Sequence, residues 1–201
     1  MASPTGAARP GPGRPSADAA IAKAEGEALA GRIREIGGEA AAPVDALEPA
    51  LRAILEATGT AGGAVCLFDQ RQELLRLAAE AGLSDEGCRR LRIVRRGDVA
   101  GWDMPLHGLL NRRAYLIESA AQNRYVPPLV ESTTPIRAVA CLPLYAGATP
   151  VGSLVLVALM PRTIGERDIR KLDQPLRELA RLIEVVRRES AASAAAASEA
   201  R

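Results

Sequence analysis

Three cysteines, one histidine and a dense run of arginines are the residues whose types could carry a reaction or hold an ion. Cys66, Cys88 and Cys141 are odd in number, lie far apart and form no Cys-x-x-Cys pair, so neither a disulfide framework nor a structural zinc site is supported. Cys66 and Cys141 fall in apolar strand-like segments, where thiols are buried and inert. Cys88 stands beside Arg89 and Arg90 and is the one thiol whose neighbours would lower its pKa. His107, in Pro-Leu-His-Gly, is the only histidine, which removes every two-histidine metal site and leaves a Ser-His-Asp triad no recognisable setting. Phosphate-cradling glycine loops of the GxxxxGK[ST] and GxGxxG types are absent. No catalytic residue, metal ligand or cofactor motif is identifiable. The run Arg89, Arg90, Arg92, Arg95, Arg96 reads either as an anion-binding or acidic-partner patch or as a solvated strand face and loop.

Composition narrows the field further. The chain has 201 residues, 48% hydrophobic and 25% charged, which predicts one domain with tails. A net charge of +2 and an aromatic share of 2% leave neither the basic field nor the stacking platforms of a nucleic-acid binder. No run approaches the roughly 20 apolar residues of a membrane span. The opening MASPTGAARPGPGRPS has no apolar stretch resembling a secretory signal, so the expected location is cytoplasmic.

The elements that would position any site can be read from periodicity. Residues 1–16, with four prolines, predict a disordered tail. Residues 17–42 are rich in Ala, Glu and Arg and read as helix or linker, with Ile21, Leu29, Ile33 and Ile36 near one face. From Asp45, with Glu48 as a candidate cap, Leu47, Leu51, Ile54 and Leu55 recur at helical spacing up to Gly59, and Pro49 threatens to split that helix. Gly63–Phe68 and Leu74–Ala81 predict a hairpin. Ser84–Leu91 predicts a short helix or turn, Arg92–Arg96 a strand, Gly101–Leu110 a short helix broken by Pro105, and Ala114–Ile117 another strand. Glu118–Thr134 reads as a loop with one helical turn. Ile136–Leu144 and Val151–Leu159 form the clearest hairpin, both arms apolar enough to be buried. Thr163 and Glu166 match a capping box opening a last helix, which Pro175 should kink. Residues 190–201 form an Ala/Ser-rich tail. The expected class is α+β, an antiparallel sheet with terminal helices packed on one face.

Four stretches carry a resemblance to the GAF domain, a small sensory module. They are Leu51-Arg-Ala-Ile-Leu-Glu-Ala-Thr-Gly59 running into Gly63-Ala-Val-Cys-Leu-Phe-Asp69; Arg96-Gly-Asp-Val-Ala-Gly-Trp102; Ile117-Glu-Ser with Asn123-Arg-Tyr125; and Ala140-Cys-Leu-Pro-Leu144 with Val151-Gly-Ser-Leu154. The resemblance covers residues 43–189 and implies five to six strands in a 2-1-5-4-3 type order. It also implies a ligand pocket on the face away from the terminal helices, and homodimerisation through those helices.

On that reading the pocket's apolar lining would be Trp102, Leu106, Ile117, Tyr125, Val130 and Ala138, with Cys141 nearby. Its polar anchors would be Ser119, Asn123, Arg124 and Thr134. Trp102 and Tyr125 could equally fill a closed core. The dimer stripe would be Ile169, Leu172, Leu176, Leu179, Ile183 and Val186, unless that stripe only covers the sheet. The function implied is a non-catalytic sensory domain, binding an unknown small molecule and acting on a signalling partner protein, since no output domain is attached. A ligand-free dimerisation or docking module is the alternative. A free methionine sulfoxide reductase is a second, although the cysteine spacing departs from that family. The Asn-Lys-Phe-Asp-Glu set of cyclic-nucleotide-binding members and the Cys-His neighbours of bilin-binding members are not matched.

Overall fold

Apolar residues at helical spacing meet a sheet whose strands are apolar on both sides, and this decides the layering. The computed structural model describes residues 17–98, 102–160 and 164–199. The tail at 1–16 and Thr163 of the expected capping box lie outside the described residues. The described elements are α1 (Ala17–Glu39), a 3-10 turn (Pro43–Ala46), α2 (Leu47–Thr58), β1 (Gly62–Asp69), β2 (Leu74–Ala81), α3 (Asp85–Arg92) and β3 (Ile93–Val94). There follow α4 (Met104–Leu110), β4 (Tyr115–Glu118), a 3-10 turn (Ala120–Gln122), β5 (Ala138–Ala146), β6 (Thr149–Ala158), α5 (Glu166–Lys171) and α6 (Asp173–Glu199).

Six antiparallel strands line up as β3-β2-β1-β6-β5-β4. Without the two-residue β3, the order in chain sequence is the expected 2-1-5-4-3. The fold is α+β. Side chains alternate between the faces of each strand, so the sheet builds two separate cores. On one face Val65, Ala140, Leu142, Leu154 and Leu156 meet Leu51 and Ile54 of α2 and Leu179 and Ile183 of α6. On the other, Ala64, Cys66, Phe68, Val139, Cys141 and Val155 meet Trp102, Leu106, Leu109 and Leu129. Covering both faces explains why β6 is buried along Val151–Ala158. The central pair is unusually close: a Cβ on Gly152 would lie 2.2 Å from the Cys66 carbonyl oxygen.

α1 packs on α2 and α6 through Leu29, Ala30 and Ile33, with Arg34 Nη2 donating to Glu178 Oε1 at 2.9 Å.

Several expected boundaries move for local reasons. Pro49 and Pro105 break nothing, because each sits in the first turn of its helix, where the missing N–H has no intrahelical partner anyway. Asp45 caps nothing; Ala46 is the N-cap of α2, while Gly59 ends it at φ 64° as expected. The last helix is interrupted rather than bent. α5 stops at Lys171 and α6 starts at Asp173, because Pro175 has no amide to give the Lys171 carbonyl four residues back. Gly26 of α1 packs onto that carbonyl, so close that a Cβ there would lie 2.5 Å from the oxygen. α5 is capped at Gly165, whose N–H donates to Asp168 Oδ2 at 3.1 Å. The expected tail beyond Ser190 continues α6 to Glu199.

The stripe assigned to a dimer interface needs correction. Leu172, Leu179, Ile183 and Val186 are buried inside the chain, with Ile169 and Leu176 packed beside them, all on the sheet-facing core. The amphipathic face of the last helix is filled by the sheet, its nearest apolar surface.

Candidate functional site

The sheet face away from α1, α2 and α6 carries α3, α4 and the irregular segment 119–137, and each is pinned by short-range chemistry. α4 is tied to the sheet by two of its carbonyls: Ser153 Oγ donates to Pro105 O at 2.9 Å, and the Tyr145 hydroxyl donates to Leu109 O. Burial holds the Tyr145 phenol above its ordinary pKa, against the pull of nearby Arg112, so it remains a donor. α3 opens on Ser84, whose Oγ accepts from Gly87 N at 2.9 Å and donates to Pro128 O at 2.6 Å. Ser84 N also donates to Leu129 O, and a Cβ on Gly87 would stand 2.4 Å from that same oxygen, so only glycine permits this docking. The other end of the segment is fixed where Ala120 N and Ala121 N donate to Arg137 O and Ile136 O. Residues 122–128 are thereby suspended as a strap between two anchors.

A cavity of about 440 Å³ lies between α3, the start of α4 and this strap, lined by Arg90, Asp98, Trp102, Asp103, Met104, Arg124, Tyr125 and Pro127. Its volume is that of a metabolite site. Trp102 is only 5% exposed, and among the described residues no acceptor reaches its Nε1. Such a buried unsatisfied donor is uncommon and costs about 1–3 kcal/mol. Arg90 Nε donates to Glu86 Oε1 at 2.6 Å. The Asp103 carboxylate accepts from Gly97 N at 3.1 Å. Arg124 lies over the Tyr125 ring at 4.9 Å, and its Nη2 donates to the Tyr125 hydroxyl at 2.8 Å.

The expected site residues sort into five groups, Ala138 forming the last. Trp102, Arg124 and Tyr125 line the cavity together, Tyr125 as a 66% exposed rim residue rather than an apolar wall. Leu106, Val130 and Cys141 are buried in the core beneath it, with Ile117 packed alongside. Ser119 and Asn123 face a shallow outer depression that also touches Arg124 and Tyr125, and Asn123 Oδ1 accepts from Tyr125 N. Thr134 is exposed, its N–H donating to Ser132 Oγ, and anchors nothing in the cavity.

Ala138 is the clear correction: it belongs to the helix-side core, opposite Cys141. A separation of three along one strand puts two side chains on opposite faces, so Val139 is the residue that accompanies Cys141. Sequence reasoning missed Arg90, Asp98, Asp103, Met104 and Pro127. Asp103 and Met104 follow Trp102 directly and were within reach of it, whereas Arg90 arrives from another element.

Of the cysteines, Cys66 and Cys141 are buried as expected and only Cys88 departs from expectation. Cys66 and Cys141 are free and buried, and desolvation pushes the Cys66 thiol up to about 12 and raises Cys141 as well. Cys88 is raised too, first by burial and then by Glu80 and Asp85, with Arg92 the only opposing charge. Arg89 and Arg90, expected to activate it, are both paired with Glu86 instead. His107 is exposed, stacked on Tyr115 with Nδ1 3.1 Å from the Tyr115 hydroxyl. Among the described residues no three metal-ligating side chains converge, and no helix is long and apolar enough to cross a membrane.

The sequence matches the family described as GAF domain over residues 40–184. The chain belongs to the GAF domain family. Solved GAF domains share its fold. The GAF domain of a phosphoenolpyruvate-protein phosphotransferase from Coxiella burnetii is 15% identical with a TM-score of 0.64, over 84% of this chain and 98% of that one. The free methionine-R-sulfoxide reductase of Neisseria meningitidis, solved with its substrate, is 15% identical with a TM-score of 0.62, over 82% and 91%. The GAF domain of a putative sensor histidine kinase from Pseudomonas syringae pv. tomato is 17% identical with a TM-score of 0.55, over 86% and 95%. No curated protein matches the chain. At these identities the GAF fold is shared while the chemistry is left to each chain's own site.

Proposed function

We propose that this GAF domain is a non-catalytic sensory or regulatory module that binds a small molecule in the Trp102 cavity and passes its occupancy to a partner protein. The observation that carries the reading is the indole N–H of Trp102, shut away from water beside a metabolite-sized cavity without an acceptor among the described residues. A residue there only to fill space would place its polar edge on a partner or in solvent. Ligand binding would act by population shift, favouring the arrangement of the 122–128 strap in which the ligand meets the Trp102 N–H. Through Ser84 and Gly87 the strap bears on α3. A homodimer remains part of this proposal, formed through outer helix surfaces such as Val185, 43% exposed, because the inner stripe is occupied.

The reductase alternative loses support from the thiols, since all three are held away from the thiolate form. The test is native mass spectrometry of the purified full chain against its denatured mass. A releasable adduct that Trp102→Phe loses is the expected result. A clean mass, together with no thermal stabilisation by any member of a metabolite library, would leave the ligand-free docking module as the better reading.

A further inference from the structure

The cavity wall holds more than one unanswered group. Trp102 Nε1 has no acceptor among the described residues. Arg124 contacts the hydroxyl and ring of its neighbour Tyr125, and no carboxylate among the described residues pairs with it. The Asp103 carboxylate accepts one backbone N–H and has no cation partner among the described residues. Arg90 and Asp98, the other charged residues of the wall, already have partners of their own. Trp102, Arg124 and Asp103 therefore belong to the lining of one cavity, to which Met104 and Pro127 add apolar surface.

We infer that the ligand is a small zwitterion of amino-acid size, its carboxylate received by Arg124 and the Trp102 N–H and its ammonium by Asp103. This rests on the small-molecule reading above and names the ligand's class. The wall carries two arginines, Arg90 and Arg124, and two aspartates, Asp98 and Asp103, so it has no net charge to favour a polyanion or a simple amine. A molecule with both charges answers each wall group with its complement, and charge-assisted hydrogen bonds are the strongest available. Nε1 is closed to water in this state, so the carboxylate reaches it as the strap shifts.

Trp102 is the only tryptophan, so its emission reports on this site in the unmodified chain. The full chain is titrated with each standard amino acid, with the matching deaminated acid and decarboxylated amine, and with inorganic phosphate. The expected result is a saturable emission shift with at least one amino acid, about ten-fold or more tighter than for its acid or amine. Asp103→Asn should erase the preference over the acid and Arg124→Gln the preference over the amine, with the circular dichroism of both variants unchanged. An acid or phosphate that binds as tightly as every amino acid overturns the zwitterion but keeps the small-molecule reading. The zwitterion is equally overturned if Asp103→Asn leaves the preference intact. Silence from every probe, with no releasable mass on the purified chain, overturns both.

Discussion

Trp102 sets up an unusual mutational prediction. Trp102→Ala empties a packed site and should cost about 3–5 kcal/mol in denaturant unfolding. Trp102→Phe keeps most of the ring while deleting a donor that has no partner, so its cost in the unliganded chain should be about 1 kcal/mol or less. A Phe variant as unstable as the Ala variant would show that the N–H is satisfied after all. The thiols offer a second check at this scale. With Cys66 and Cys141 buried and Cys88 partly open, a disulfide reagent should label one thiol in the native chain and all three after denaturation. Because the Cys88 pKa is raised, its labelling should keep accelerating above the pH at which an ordinary thiol has already ionised. A native count of two or three would contradict the burial.

At the scale of elements, the last helix separates core from interface by experiment. Ile183→Asp places a charge in the sheet-facing core and should abolish folding. A folded monomer from that variant would restore the dimer stripe. Acid should act on α1. Arg34's hydrogen bond, opposed by burial and aided by Arg181, holds the Glu178 carboxyl below its ordinary pKa. A depressed carboxylate stabilises the folded form above its unfolded pKa, about 4.3, and that stability disappears as pH falls through the folded value. Hydrogen exchange of α1 amides should therefore quicken below about pH 4 relative to the sheet, and Glu178→Gln should flatten that difference while raising exchange at neutral pH. Gly152 tests the strand pair: Gly152→Ala drives a methyl into the Cys66 carbonyl and should cost about 3 kcal/mol, near the upper end for overpacking.

Across the whole molecule, most elements were legible from their periods, and the GAF resemblance was carried by four short stretches of sequence. Faces were harder to read. Ala138 and Cys141 lie in one strand, yet parity divides them, and the Ile183 stripe gives no hint in sequence whether sheet or second copy covers it. The cavity was half legible: Trp102, Arg124 and Tyr125 belong to recognisable motifs, whereas Arg90 enters from α3 only because Ser84 and Gly87 dock that helix on the strap. One contact described above links the halves of the helical layer. The carbonyl that Pro175 leaves without an amide is the point where Gly26 touches α5, and no bulkier residue fits there. Nine residues of α1 precede Gly26, about 13 Å of helix at 1.5 Å per residue. Gly26 is thus a key between α1 and α5, and any side chain there would push the two helices apart along that length.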